Sequence, residues 1–196
     1  MRHYQRILFL AISLLIVSCS STRQTTTVNR NTELEAPLLA GGKSALYKVN
    51  IEVFGNFFSG LLLIKKDKEQ NGHNIVLMSE VGLTLCEYYS SSNGIELKKA
   101  SSLFQSEMAQ KVLAEDFSLL VNHIDCLKPK KNNVYKSEAG YFYQLNEAGT
   151  IIRIKKRRLI NGVRAELKDY KTIPTVINYK HTGIRFSMNL KLLKYS

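Results

Sequence analysis

The sequence carries none of the short motifs that mark common catalytic machinery. It has no G-x-S-x-G nucleophile elbow, no H-E-x-x-H zinc helix and no phosphate-cradling Walker loop. Histidine is scarce: His3 lies near the start, and His73, His123 and His181 fall beside turns or element ends, where surface positions are expected. His123, Asp125 and Cys126 lie close in sequence, but their spacing is loose and no fourth ligand is near, so no metal is expected. The chain is therefore read as a non-enzyme; an enzyme acting on lipid or cell wall would need a close Ser–His or carboxylate pair that no spacing here announces. Acidic residues are also in deficit, 16 Asp and Glu against 28 Lys and Arg, for a net charge of +12. A basic surface favours anionic partners or simply keeps the protein solvated. Nucleic acid is not expected, because Tyr141 and Tyr143 alone do not make the aromatic sheet face that such binding uses.

No apolar run is long enough to cross a bilayer as a helix, which takes about 20 residues. Ile7–Val17 is apolar for 11 residues, and it follows Arg2, His3 and Arg6. That combination fits a secretory signal. It ends in Ile16-Val17-Ser18-Cys19, the pattern of a bacterial lipobox, in which small residues flank the scissile bond and a thiol takes the lipid. Residues 1–18 are expected to be a lipoprotein signal peptide. Cys19 is expected to become the lipidated first residue, carrying a diacylglycerol and an N-acyl chain such as palmitate, with no other cofactor. Removing 18 of the 196 residues leaves 178, at about +10 without Arg2 and Arg6, enough for one domain with a sizeable core. Each buried acyl CH2 contributes ~0.8 kcal/mol, so two or three chains anchor firmly. Position 20 is Ser rather than Asp, which by resemblance to enterobacterial lipoprotein sorting permits transfer to the outer membrane, and its periplasmic face is the expected location. Residues 19–45 are polar and rich in Thr and Ser, and read as a flexible tether. Three cysteines are present; with Cys19 lipidated, Cys86 and Cys126 either pair or stay as two buried free thiols, and the latter is the reading adopted.

From residue 46 the pattern has period two. Val49, Ile51 and Val53 alternate with Lys48, Asn50 and Glu52, and Ile184 to Leu192 alternate with Arg185 to Lys191. Asn71-Gly72, Asn93-Gly94 and Asn161-Gly162 mark hairpins, with Ala148-Gly149 and Thr182-Gly183 as weaker versions. Eleven strands are predicted, at 46–54, 57–66, 73–79, 83–90, 94–99, 134–138, 140–146, 150–157, 163–170, 174–180 and 183–193. Leu61–Ile64 and Ile75–Met78 are apolar on both faces and need cover on both sides. A helix of about 18 residues is predicted between the fifth and sixth strands. Its start is placed at the capping-box pattern Ser102-Leu103-Phe104-Gln105, and Phe104, Met108, Val112 and Leu113 recur at helical spacing. A meander this long must curl to hide its edges. The fold class is mainly β (α+β): a curled antiparallel sheet forming a half-open barrel, with the helix covering the hollow.

Two segments, Phe58-Ser59-Gly60-Leu61-Leu62-Leu63-Ile64-Lys65-Lys66 and Ser79-Glu80-Val81-Gly82-Leu83-Thr84-Leu85, resemble the outer-membrane lipoprotein receptor LolB and its periplasmic carrier LolA. The helix Val112–Phe117, the last hairpin from Ile173 to Leu193 and the polar lipidated leader extend the likeness over most of residues 46–194. The chain is most similar to LolB-like lipoproteins of Bacteroidetes. The resemblance implies that 46–196 is a half-barrel whose apolar hollow receives or carries acylated lipoproteins or lipid, by hydrophobic shielding, in lipoprotein localisation. It implies a monomer held to the membrane by its lipid, with a LolA-like periplasmic carrier as a partner. It also places Val81, before Gly82, at the exposed apolar position of a membrane-facing loop, although the Pro-Leu usual there is Glu80-Val81 here. The acyl-chain lining is expected to be Leu61, Leu63, Leu77, Leu85, Phe104, Met108, Leu113, Phe117, Phe186 and Met188, with the same residues filling a closed core as the alternative. That alternative makes the protein a structural or interaction lipoprotein of the envelope that binds a protein partner. The basic runs Lys155-Lys156-Arg157-Arg158 and Lys128, Lys130, Lys131 are either a rim for anionic headgroups or solvated strand ends.

Overall fold

A computed structural model describes residues 31–38, 44–67, 69, 72–102, 104–122, 124–127, 133–157 and 162–196. Cys19, His123, the Lys128–Lys131 run, Arg158, Asn71 and Asn161 lie outside the described residues.

Among the described residues there is one sheet of thirteen strands and one helix. The strands are β1 (Asn31–Leu34), β2 (Ser44–Val53), β3 (Asn56–Lys66), β4 (His73–Ser79), β5 (Thr84–Ser91), β6 (Gly94–Ala100), β7 (Ile124–Leu127), β8 (Val134–Ser137), β9 (Phe142–Leu145), β10 (Ile151–Lys156), β11 (Gly162–Tyr170), β12 (Pro174–Thr182) and β13 (Phe186–Tyr195). The helix α1 (Glu107–Val121) stands between β6 and β7. All pairs are antiparallel, in the order β1-β7-β8-β9-β10-β11-β12-β13-β2-β3-β4-β5-β6, so the sheet is open with β1 and β6 at its edges. Each of the eleven predicted strands is present within a few residues, and two more join them.

One of the extra strands changes a boundary. β1 lies inside the stretch expected to be a tether, yet it pairs with β7, and its Leu34 and the following Ala36, Pro37 and Leu38 are buried. The Leu38 N–H donates to the Leu120 carbonyl at 3.0 Å, fastening this segment to the end of α1. Residues 31–38 therefore belong to the domain. The polar composition hid this because only four small or aliphatic side chains, Leu34, Ala36, Pro37 and Leu38, are buried.

The helix is shorter than expected, 15 residues, and starts later. Ser106, not Ser102, is the cap: its Oγ accepts from the Ala109 N–H at 3.4 Å. Gln105 is outside the helix, and Phe104 precedes it, half-buried. Both Ser102 and Ser106 stand ahead of the apolar repeat. The one in register with Ala109, Leu113, Asp116, Phe117 and Leu120 is the one that caps.

The curl has local causes. Register shifts at Leu77/Met78, Glu87/Tyr88, Ile151/Arg153 and Leu192/Lys194 bend the strands. Gly60 sits on the inner face where the Phe58 ring and the Met78 carbonyl close in; a Cβ there would lie 2.1 Å from that oxygen. The inner face of the curl holds the core, with Tyr47, Tyr88, Tyr143, Tyr179, Leu62, Ile75, Leu77 and Ile154 packed around Phe117, Leu113 and Leu120 of α1. Phe117 meets Tyr88 edge-on at 5.6 Å between ring centres. Cys86 and Cys126 are buried and unpaired. Burial pushes their thiols up to about 12 and about 11, away from reactive thiolates.

Candidate functional site

Three hairpin turns and the opening beside the helix gather at one end of the curl. β2, β4, β10 and β12 run the same way, so the turns at 54–55, 80–83 and 183–185 share that end. The Phe54 N–H donates to the Arg185 carbonyl at 2.8 Å, tying two of the turns together. Phe54 and Gly55 both have positive φ, +50° and +85°. That turn twists in the hand of the sheet, but a bulky residue in the left-handed region is held against its preference. Large apolar side chains are exposed here: Phe54 is 50% exposed, Val81 83% and Leu83 61%. Val81 thus stands free in the β4–β5 turn, where Ser79 Oγ accepts from the Leu83 N–H at 3.0 Å and Gly82 has a φ of +84°.

At the same end α1 leaves a gap on one flank. The helix packs on β5 and β6, and the Tyr88 hydroxyl donates to the Gln110 carbonyl at 2.9 Å. Between its first turns and β10–β12 there is a pocket of about 270 Å3, close to the lower bound for a ligand site. Met108, Val112, Val163, Ile184 and Tyr141 give it apolar walls, and Lys111, Glu115, Lys156, Asp116 and His181 give it polar ones. β10 alternates as expected of a strand, so Lys156 turns into the pocket and its Nζ lies 4.1 Å from the centre of the Tyr141 ring.

A buried polar clasp closes the floor. His181 Nε2 lies 3.1 and 3.0 Å from the two Asp116 carboxyl oxygens, and the Tyr179 hydroxyl donates to the Asp116 carbonyl at 3.2 Å. The side chains are 8% and 1% exposed, so His181 is not the surface histidine expected. Phe186 holds the imidazole edge-on at 5.1 Å. Burial pushes the Asp116 carboxyl up to about 6 against the pull of His181. Both residues carried a signal. Asp116 lies between Leu113 and Phe117 on the apolar helix face, and His181 continues the inward alternation of Ile177 and Tyr179. Among the described residues no three His, Cys, Asp or Glu side chains converge as a metal site would require.

The expected acyl lining divides. Leu77, Leu85, Leu113, Phe117, Phe186 and Met188 are buried on the inner side, as part of the filled core. Met108 is 52% exposed and stands at the pocket wall, and Phe104 is half-buried against the core. Leu61 and Leu63 are corrected: Gly60, Leu62 and Ile64 point inward, and Leu61 and Leu63 sit half-buried on the outer face. A strand apolar on both faces does not reveal which set faces in, and a one-residue choice inverts every side chain.

No family model matches the sequence. No curated protein matches it either. A solved DUF1329 family protein from Desulfovibrio piger is similar in part, at 11% identity and a TM-score of 0.48, over 79% of this chain and 85% of that one.

Proposed function

We propose that this protein is a lipid-anchored lipoprotein of the outer membrane, held by Cys19, that shields the acyl part of a lipoprotein or lipid between α1 and the β10–β12 wall. The observation that carries this reading is the amphiphilic pocket left open between the first half of α1 and β10–β12. The helix is held to β5 by Tyr88 and to β12 by Tyr179 and His181, and above the Asp116–His181 clasp Met108, Lys111 and Val112 face Lys156, Val163 and Ile184 across the pocket. An acyl chain entering between Met108, Val112 and Val163 would gain ~0.8 kcal/mol for each CH2 removed from water. Lys111 and Lys156 stand where the polar end of such a molecule would lie. Phe54, Val81 and Leu83 at the same end suit contact with a bilayer from which the cargo comes or to which it goes, and Arg185 and Arg157 nearby suit its anionic headgroups. Handover to or from a LolA-like carrier then follows a difference of affinities, with no covalent chemistry.

A second reading is a closed-core lipoprotein that binds an envelope protein through its surface. It is favoured by the four fully buried tyrosines of the inner face, Tyr47, Tyr88, Tyr143 and Tyr179.

Native mass spectrometry separates the two. The mature chain with Cys19→Ala is mixed with a purified triacylated lipoprotein, and with the same lipoprotein stripped of its acyl chains. A one-to-one complex seen only with the acylated form, and lost in a folded Val112→Trp variant whose indole fills the pocket, supports acyl shielding. No complex at micromolar concentration overturns it in favour of the second reading.

A further inference from the structure

The outer face holds a row of side chains that strand-forming preference does not account for. Asn is depleted in strands, because it neither packs well nor leaves the backbone alone. Yet Asn178, Asn189 and Asn50 stand in direct register on β12, β13 and β2, and Ser59 continues the row on β3. With strands about 4.8 Å apart, four of them span roughly 14 Å. These residues line an open groove of about 520 Å3, which reaches Phe57, Glu52 and Ser187 in the next row.

The row is held straight by its own hydrogen bonds. Asn189 Nδ2 donates to Asn178 Oδ1, and Ser59 Oγ donates to Asn50 Oδ1 at 3.0 Å. Ser59 Oγ also lies 2.7 Å from Glu80 Oε1, and Glu80 pairs with Lys48 at 3.3 Å. The Nδ2 groups of Asn50 and Asn178 and the Oδ1 of Asn189 have no partner among the described residues. Fixed amides with spare donors and acceptors are thus presented along a line. Beside them Phe57 is 81% exposed, a large aromatic ring next to Glu52 and Ser187.

We propose that this groove binds a neutral oligosaccharide laid across β12, β13, β2 and β3. A pyranose ring needs two things at once: hydrogen-bond partners that both give and accept for its hydroxyls, and an apolar plate for its C–H face. The asparagine row supplies the first and Phe57 the second. Charge argues for a neutral ligand. Glu52 is the one charged residue lining the groove; Lys180 stands in its register row, and in the row on the other side Lys48 is paired with Glu80, which leaves Lys191 at the margin, so no cluster of positive charge lines the groove for a polyanion. This groove lies on the opposite face of the sheet from the acyl pocket, and the proposal stands whether or not that pocket takes lipid.

The test is saturation-transfer NMR and calorimetry on the mature chain with Cys19→Ala. The probes are maltohexaose, cellohexaose and chitohexaose, with a hexagalacturonate as the anionic control and anionic vesicles as a second control. At least one neutral hexasaccharide is expected to bind and hexagalacturonate is not. The Asn50→Ala/Asn189→Ala pair and Phe57→Ala should each weaken binding by about tenfold or more, the loss of one or two hydrogen bonds or of one apolar plate. These positions are exposed, so the variants should keep the parental melting temperature, and Val112→Trp should bind sugar as the parent does. Absence of saturation transfer from all three neutral sugars at millimolar concentration overturns the proposal. So does sugar binding that the folded variants leave unchanged, or vesicle binding that the same variants abolish while no sugar binds.

Discussion

The inner and outer faces of the sheet are built from the same strands, one residue apart, and they solve different problems. On β2 the inward set is Ala45, Tyr47, Val49 and Ile51, all buried; the outward set is Leu46, Lys48, Asn50 and Glu52. Inside, bulk is supplied by tyrosines, and each hydroxyl needs somewhere to go. Tyr88 and Tyr179 donate to helix carbonyls and Tyr47 donates to the Pro174 carbonyl at 2.8 Å. The helix is thereby fixed in rotation as well as in depth, which aliphatic packing alone would do loosely. Outside, neighbours are joined by amides and ion pairs such as Arg164–Glu166 and Lys168–Glu166, which set register but contribute little to stability. The difference teaches that the inner face determines how tightly the helix can hold its place, and the outer face what the surface can recognise.

Adjacent leucines on β3 test this contrast most sharply. Leu62→Ala should cost about 2–5 kcal/mol, since Leu62 is fully buried between Tyr47 and Leu77. Leu63→Ala, one residue on, should cost less than about 1.5 kcal/mol. Urea denaturation of both variants measures the gap, and equal losses would mean the two faces are equally packed. Next in size, Tyr179→Phe removes a buried hydrogen bond to α1 and should cost about 1–2 kcal/mol. Amide exchange in α1 should rise more in that variant than exchange in β3. A smaller effect is expected at the clasp, and it depends on pH. A carboxyl in the unfolded chain titrates near ~3.9 and Asp116 in the fold near about 6, so the native state keeps the proton longer. The contribution of this group to stability therefore falls as pH rises from about 4 to about 6. In Asp116→Asn, the melting temperature should vary less over that window than in the parent; an unchanged slope would place the titration elsewhere. Least of all, Glu166→Gln on the outer face should shift stability by under about 1 kcal/mol, and 1 M salt should erase the difference.

Much of the architecture was legible because period two is written into the chain. Val49-Ile51-Val53 and the last hairpin state their inward side directly, and glycines after small or polar residues mark the bends. What failed to show was information that a single strand does not hold. The segment at 31–34 has no amphipathic pattern, and it becomes a strand because β7 offers it an edge. Leu61–Ile64 is apolar throughout, so its orientation comes from Gly60 and from the partners on β2 and β4. The pocket was the least legible part. Met108 was named in advance, but Val163, Lys156, His181 and Ile184 come from separate strands and turns, and only the curl brings them beside Lys111 and Asp116.

The strand order also constrains when the molecule can become whole. β2, begun at Ser44, has β13 as its second neighbour, and the pairing runs to Tyr195; the Ser44 and Ser196 backbones exchange hydrogen bonds of 2.8 and 3.0 Å. The meander β2–β6 can form from local contacts as it emerges, and so can β8–β12. They remain two separate sheets until β13 joins them. Closing a loop of some 150 residues is slow compared with forming a hairpin. The nascent chain is therefore kept incomplete until β13 has emerged, with the open edges of β2 and β12 exposed in the interval. A truncation before Phe186 should make that interval permanent.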